Sequence, residues 1–347
     1  MKDAFIGIDV AFAKQKRLPV AVCTWSGERL VPARLRDLPF EPPRGHGNVA
    51  TLDAAGVRQF ALDAVDYVVR VCQRLGVNPA RIALDAPSSP RAEGVRRRAA
   101  EAAMDEAGIS CFTTPTASEF GIIHEKVRDH IEAGGAENRL PHANQLWMTV
   151  GFELFRRLGE IAPCLEVFPQ ATARVLGVAQ VHKTVSGGVE AQLAEAARHT
   201  GWPSEDPSEP GLAEIAFGPS HDCLDAYLSA WVAALPERNR IAFGNPPNDV
   251  IWTPRVGNGV FQRPTVMRRP RPRQQPRPEP VGAPGELERL CPCCESYMFR
   301  RWPFGWDAHA AHRCPGLSST GTVERKREFK SRFGHLFKCV APRARSD

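Results

Sequence analysis

Two carboxylates three residues apart, Asp222 and Asp225, stand in the stretch HDCLDAYLSAWVAAL, from His221 to Leu235. On an α-helix that spacing puts both on one face, near the first turn. The rest of the stretch is apolar or small, with Leu224, Ala226, Leu228, Ala230, Trp231 and Val232, so the helix is expected to be mostly buried. Acids in such surroundings need a partner that offsets the lost hydration of their charge. Two upstream apolar runs also end in acids: Asp9 in FIGIDVA and Asp85 in RIALDAPSSP. A shared divalent cation site accounts for all four. Hard oxygen donors of this kind suit Mg²⁺ or Mn²⁺. Two such ions about 4 Å apart can stabilise the attacking and leaving oxygens of an in-line phosphoryl displacement, with a metal-activated water as nucleophile. Glu166, inside the apolar LEVFP, is the fifth candidate acid.

Each acid alone has a simpler explanation. Asp9 and Asp85 could serve the turns that follow their strands. Asp222 could be an N-cap favoured by the helix dipole. Glu166 could be an edge-strand residue facing water. Asp225 is harder to explain that way, because it lies inside the apolar helix. His221 could orient a water or bind phosphate, or merely start the helix. Lys183 and Arg98 could bind phosphate, but each reads first as a surface charge. The combination carries the reading, since carboxylates on an early strand, a later strand and a late helix can meet at one end of a sheet.

The elements that must position these groups follow from periodicity. Residues 4–10, 18–24 and 29–36 read as three strands with short connections, an antiparallel meander weakened at Pro32. A helix over about 52–75 carries Val57, Phe60, Ala61, Val65, Val68 and Val69 at helical spacing. A strand is expected at 81–85 and a loop at Pro87 and Pro90. A helix follows over 91–107, then a strand over 110–114. Residues 116–162 read as two helices broken near Gly134 and Gly135, and LEVFP as a strand. Helices at 187–199 and 222–235, a strand at 240–243 and a closing loop GNPPNDVIWTP complete the pattern. Strands first, then alternating strands and helices, predict an α/β sheet with helices on both faces.

Charge and cysteine usage divide the chain. From Val256 onward there are 18 Lys/Arg against 8 Asp/Glu, a net of +10, whereas the first 255 residues carry 27 against 31, a net of −4. A basic block on a near-neutral body suggests a polyanionic partner, or else a solubilising tail. Residues 256–285, rich in Pro and Arg, read as a semi-rigid linker between a domain at 1–255 and a small unit at 286–347. In that unit Cys291 and Cys294 have the gap of a zinc knuckle, completed by His309 and Cys314, with His312 as the rival ligand. Structural Zn²⁺ would supply much of its stability. Beyond it, Phe329, Phe333 and Phe337 recur every four residues among Lys and Arg, as on one face of a basic helix. The five cysteines before this region are scattered through apolar or mixed segments and read as free thiols. No run approaches the roughly 18 apolar residues of a membrane helix. The opening MKDAFIGIDV has no signal-peptide character, so a cytoplasmic location is expected.

FIGIDVA, IALDAPSSP, LEVFPQA and HDCLDAYLSAWVA, with the later Gly-Asn-Pro-Pro and Ile-Trp-Thr-Pro, resemble the predicted-nuclease family catalogued as domain of unknown function 429, over roughly residues 3–255. That family is assigned to the ribonuclease-H-like superfamily, which also holds Holliday-junction resolvases. The resemblance implies a ribonuclease-H-like mixed sheet. It also implies that Asp9 and Asp85 are the first and second strand acids of a metal site. Asp222 and Asp225 resemble the closing acidic pair of the resolvase branch, and Glu166 sits in the family's strand motif. The expected activity is metal-dependent hydrolysis of DNA or RNA. A second reading, of another class, is a nucleic-acid-binding protein that keeps the fold without turnover. An actin-like ATPase or kinase ranks lower, because Asp9 is followed by Val10, Ala11, Phe12 and Ala13 rather than a Gly/Thr-rich phosphate turn. A histidine–aspartate phosphohydrolase, suggested by His221 and Asp222, lacks a convincing set of further histidines.

Overall fold

The computed structural model describes residues 1–179 and 182–256, and beyond them only the backbone of short strand segments between 289 and 338. Met1–Val266 and Met267–Asp347 are separate compact units, and the elements below belong to the first. β1 (Lys2–Asp9), β2 (Val20–Ser26) and β3 (Arg29–Pro32) lead into α1 (Ala54–Leu75) and β4 (Val77–Asp85). Then come α2 (Ala99–Glu106), α3 (Ala117–Glu132), α4 (Ala143–Leu158) and β5 (Cys164–Glu166). α5 (Pro169–Val175), α6 (Gly188–Thr200), α7 (Leu212–Ile215) and α8 (Ser220–Ala234) precede the hairpin of β6 (Arg240–Asn245) and β7 (Asp249–Pro254).

The sheet order is β3-β2-β1-β4-β5. The first three strands form an antiparallel meander, and β4 and β5 run parallel to β1. This is the expected mixed α/β sheet flanked by helices. Alternation along the strands divides its two faces. Ile6 and Ile8 of β1, and Ile82 and Leu84 of β4, pack with Phe60, Ala64 and Val68 of α1 and Val150 and Leu154 of α4. The opposite face takes α8, of which every residue from Asp222 to Ala234 is buried. Gly7 is the reason α8 can lie so close. A Cβ there would stand 1.9 Å from the carbonyl oxygen of Ala226 and 2.2 Å from the backbone nitrogen of Ala230. At its far end α8 is tied down by Arg81, whose Nη1 donates to the carbonyls of Ala233 (2.5 Å) and Leu235 (3.2 Å). A guanidinium suits the last carbonyls of a helix.

Some local expectations are corrected. The third strand stops at Pro32, and residues 35–37 form a 3-10 turn. The helix expected at 91–107 begins only at Ala99, after a turn segment in which Gly94 takes a positive φ of 75°. Residues 110–114 are not a strand. Side chains rather than a neighbouring strand satisfy their backbone: Glu101 accepts from the Thr114 N–H at 2.7 Å, and Arg91 donates to the Thr114 carbonyl at 2.9 Å. VIWTP, expected as loop, is strand β7, paired from Asn245↔Asp249 to Arg240↔Pro254. A bridge between Val167 and Trp252 joins this hairpin to the segment after β5. Its buried Val250, Ile251 and Trp252 give it a core to bind, which outweighs the prolines of the turn. α5 and α7 had no counterpart in the sequence reading.

No helix among the described residues is long and apolar enough to cross a membrane. The zinc ligands read at Cys291, Cys294, His309, His312 and Cys314 lie outside the described residues. So does the basic helix, except for Phe337 and Lys338, which pair as a strand with Trp306 and Asp307.

Candidate metal centre

Register brings the first two acids together. Asp9 and Asp85 stand opposite each other at the ends of β1 and β4. Counting by twos from Gly7 and Ala83 puts both on the face that α8 covers. The close approach at Gly7 then delivers Asp225, the residue before Ala226, to the same place. One carboxylate oxygen from each of Asp9, Asp85 and Asp225 lies within 4.8 Å of the other two. Asp225 is 3% exposed, and its Oδ1 is buried with no hydrogen-bond partner. An orphaned carboxylate oxygen in such a position is costly, and a cation is the partner that the donor set fits.

Two lysines pair with the helix acids. Lys183, in the loop before α6, contacts Asp225 Oδ2. Lys16, in the loop between β1 and β2, contacts Asp222 Oδ2. His221 Nε2 lies 3.1 Å from Asp222 Oδ1. Four acids thus face two lysines. The carboxyls respond to this crowding. Burial pushes Asp9 well above the usual carboxylate range, with Asp85 and Asp222 adding to the rise and Lys183 and Lys16 opposing it. Burial likewise pushes Asp85 up to about 6, against Lys183 and with help from Glu166 and Asp222.

That elevation predicts a stability effect. A carboxyl held above its unfolded value contributes fully to folding below about pH 4, and the contribution is lost as pH rises through about 6. Ionised Asp85 therefore weakens the metal-free fold at neutral pH, by on the order of 3 kcal/mol. Asp85→Asn is expected to raise the melting temperature in EDTA at pH 7.5, and the gain should vanish near pH 4, where the wild-type carboxyl is protonated. Thermal melts at the two pH values check it.

The remaining candidates take other positions. Asp222 lies outside the three-acid group, held by Lys16 and beside His221. Glu166 pairs in register with Leu84, so it shares the face opposite to Asp85. Its two oxygens accept from Arg98 at 2.8 and 2.7 Å, and Oε2 also accepts from the Ser88 N–H at 3.0 Å. Arg98 is no surface charge: it is 6% exposed and also reaches Asp249 Oδ1 at 3.1 Å. Glu166 therefore braces the loop that follows Asp85. Lys183 is likewise drawn into the site, and Lys16 went unread in the sequence. The available signal for both was charge complementarity, since four apolar-flanked acids require cations from somewhere in the chain.

No curated protein matches this chain, and no solved structure matches it. Residues 7–248, which run from β1 into the turn of the β6–β7 hairpin, match the model of the family described as protein of unknown function DUF429. The match covers most of the chain, and the chain belongs to that family.

Proposed function

We propose that the protein is a metal-dependent nuclease with a ribonuclease-H-like fold, which hydrolyses phosphodiester bonds of DNA or RNA. The observation that carries the reading is the convergence of Asp9, Asp85 and Asp225, from three separate elements, within 4.8 Å of one another, together with a buried, unpartnered Asp225 oxygen. A sheet that opens as a meander and continues through parallel crossovers, with acids ending two adjacent parallel strands, agrees with that fold. Mg²⁺ or Mn²⁺ held there would activate water and offset the charge that develops on a phosphodiester. Asp9, Asp85 and Asp225 would be its ligands. Asp222, one turn of α8 away, would serve a second ion once released from Lys16. Glu166 acts through Ser88 and Arg98, by fixing the loop behind Asp85. The basic C-terminal quarter, with Zn²⁺ held by Cys291, Cys294, His309 and Cys314 or by the rival His312, would bind the nucleic acid. A soluble, cytoplasmic protein suits this activity.

Cleavage of end-labelled single- and double-stranded DNA and RNA tests the reading, with Mg²⁺, Mn²⁺ or EDTA and with Asp9→Asn alongside. Cutting is expected with either metal, none in EDTA, and a loss on the order of a thousandfold in the variant. Binding without cutting under every condition would favour the non-catalytic reading. Cutting that survives Asp9→Asn would overturn the assignment.

A further inference from the structure

Each of the two helix acids is matched by one lysine, and each lysine lies nearer to solvent than its partner. The Lys183 side chain is 17% exposed against 4% for Asp225, and the Lys16 side chain 30% against 7% for Asp222. The lysine side chains are thus the more solvent-accessible members of both pairs. Without them, four carboxylates would repel a phosphodiester.

The backbone under Lys16 is fixed. Its carbonyl accepts from the Gly45 N–H at 2.7 Å, and the preceding Gln15 N–H donates to the Gly45 carbonyl at 2.9 Å. The four-carbon stem is what can move. Lys183 has the same freedom at the end of its own stem. An ammonium and a divalent cation drawn to one carboxylate repel each other strongly in a partly buried site. The two cannot both hold Asp225 at full strength.

We propose that Lys16 and Lys183 stand in for the metal when it is absent and turn to the substrate phosphate when it arrives. The inference rests on the metal-site reading above. In the metal-free protein the lysines neutralise Asp222 and Asp225, so that the fold tolerates those buried charges. A metal on Asp225 Oδ1 repels the Lys183 ammonium from Oδ2, a second ion on Asp222 does the same to Lys16, and the loosened ammonium groups then face the incoming phosphodiester. The device keeps the cluster folded before loading and supplies positive charge at the mouth of the site after it. It also makes metal and phosphate binding mutually supportive, because each removes what opposes the other.

The test uses the full-length chain with Lys183→Met, Lys16→Met and the charge-keeping Lys183→Arg. Mn²⁺ affinity is read from the electron paramagnetic resonance of free Mn²⁺. Binding of a labelled single-stranded oligonucleotide is read in Ca²⁺, without turnover. Lys183→Met is expected to bind Mn²⁺ about tenfold more tightly, because a competing cation is gone. The same variant should melt lower without metal and gain more on Mn²⁺ addition. It should also bind the oligonucleotide several-fold more weakly, with a salt slope reduced by about 1. Lys16→Met should behave in the same direction, and Lys183→Arg should stay near wild type. Unchanged or weaker Mn²⁺ binding in both Met variants would overturn the proposal, because the lysines would then be fixed structural partners. Tighter Mn²⁺ binding with unaltered oligonucleotide binding would overturn the phosphate role. If the wild type neither binds nor cuts nucleic acid, the nuclease reading fails, and the Mn²⁺ and melting comparisons still judge the exchange.

Discussion

Gly7→Ala is expected to cost at least about 4 kcal/mol, beyond the roughly 1–3 kcal/mol of ordinary overpacking. The added methyl would meet backbone atoms of α8, at 1.9 Å from the Ala226 carbonyl oxygen and 2.2 Å from the Ala230 nitrogen. Neither can rotate away as a side chain would. α8 would have to lift from β1, yet it is buried along almost its whole length and fastened by Arg81 at its C-terminal end. The same movement would carry Asp225 away from Asp9 and Asp85. Urea unfolding should show the loss of stability, and any folded fraction should bind Mn²⁺ poorly. A loss below about 1 kcal/mol would mean that the helix slides freely on the strand, and that the contact at Gly7 does not set the position of the acids.

Arg98→Met is the second large effect, at about 3–5 kcal/mol. The change removes both hydrogen bonds to Glu166 and the one to Asp249. It leaves a buried carboxylate with Ser88 as its remaining hydrogen-bond partner. Burial already pushes the Glu166 carboxyl above its ordinary value, and Arg98 is the chief opposing influence. Breaking one side of such a pair costs more than the pair is worth, so Arg98→Met/Glu166→Gln should recover a good part of the loss. Denaturant titration of the single and double variants measures this coupling. Additive losses would show that the pair is not the unit that braces the loop after Asp85. The position of that loop bears on the proposed metal site, because Ser88 lies three residues beyond Asp85.

The elements that carry the acids were legible because burial imposes a pattern. β1 and β4 are apolar runs that stop at an aspartate, and α8 is apolar or small over most of its length, with Asp222 and Asp225 its two acids. A charged residue among such neighbours stands out without any knowledge of the fold. The adjacency of β1 and β4 depends on pairing across a long crossover, which local pattern does not encode. The resemblance to a family supplied that link. The partners of the acids were the least legible part. Lys16 and Lys183 lie in loops with no periodicity, so nothing local distinguishes them from solvated lysines. Arg98 stands in a run of three arginines that looks like a surface patch. Only the fold reveals that its guanidinium turns inward to Glu166. The β6–β7 hairpin was misjudged because its two central prolines outweighed the apolar run that follows them.

The central claim is that Asp9, Asp85 and Asp225 together hold a divalent cation. Its most direct test is anomalous diffraction from crystals of the full-length protein grown with Mn²⁺. The expected result is an anomalous peak about 2.1 Å from one oxygen of each of the three carboxylates, absent in Asp225→Asn. A fully loaded crystal with Mn²⁺ elsewhere and none among these three acids would contradict the claim.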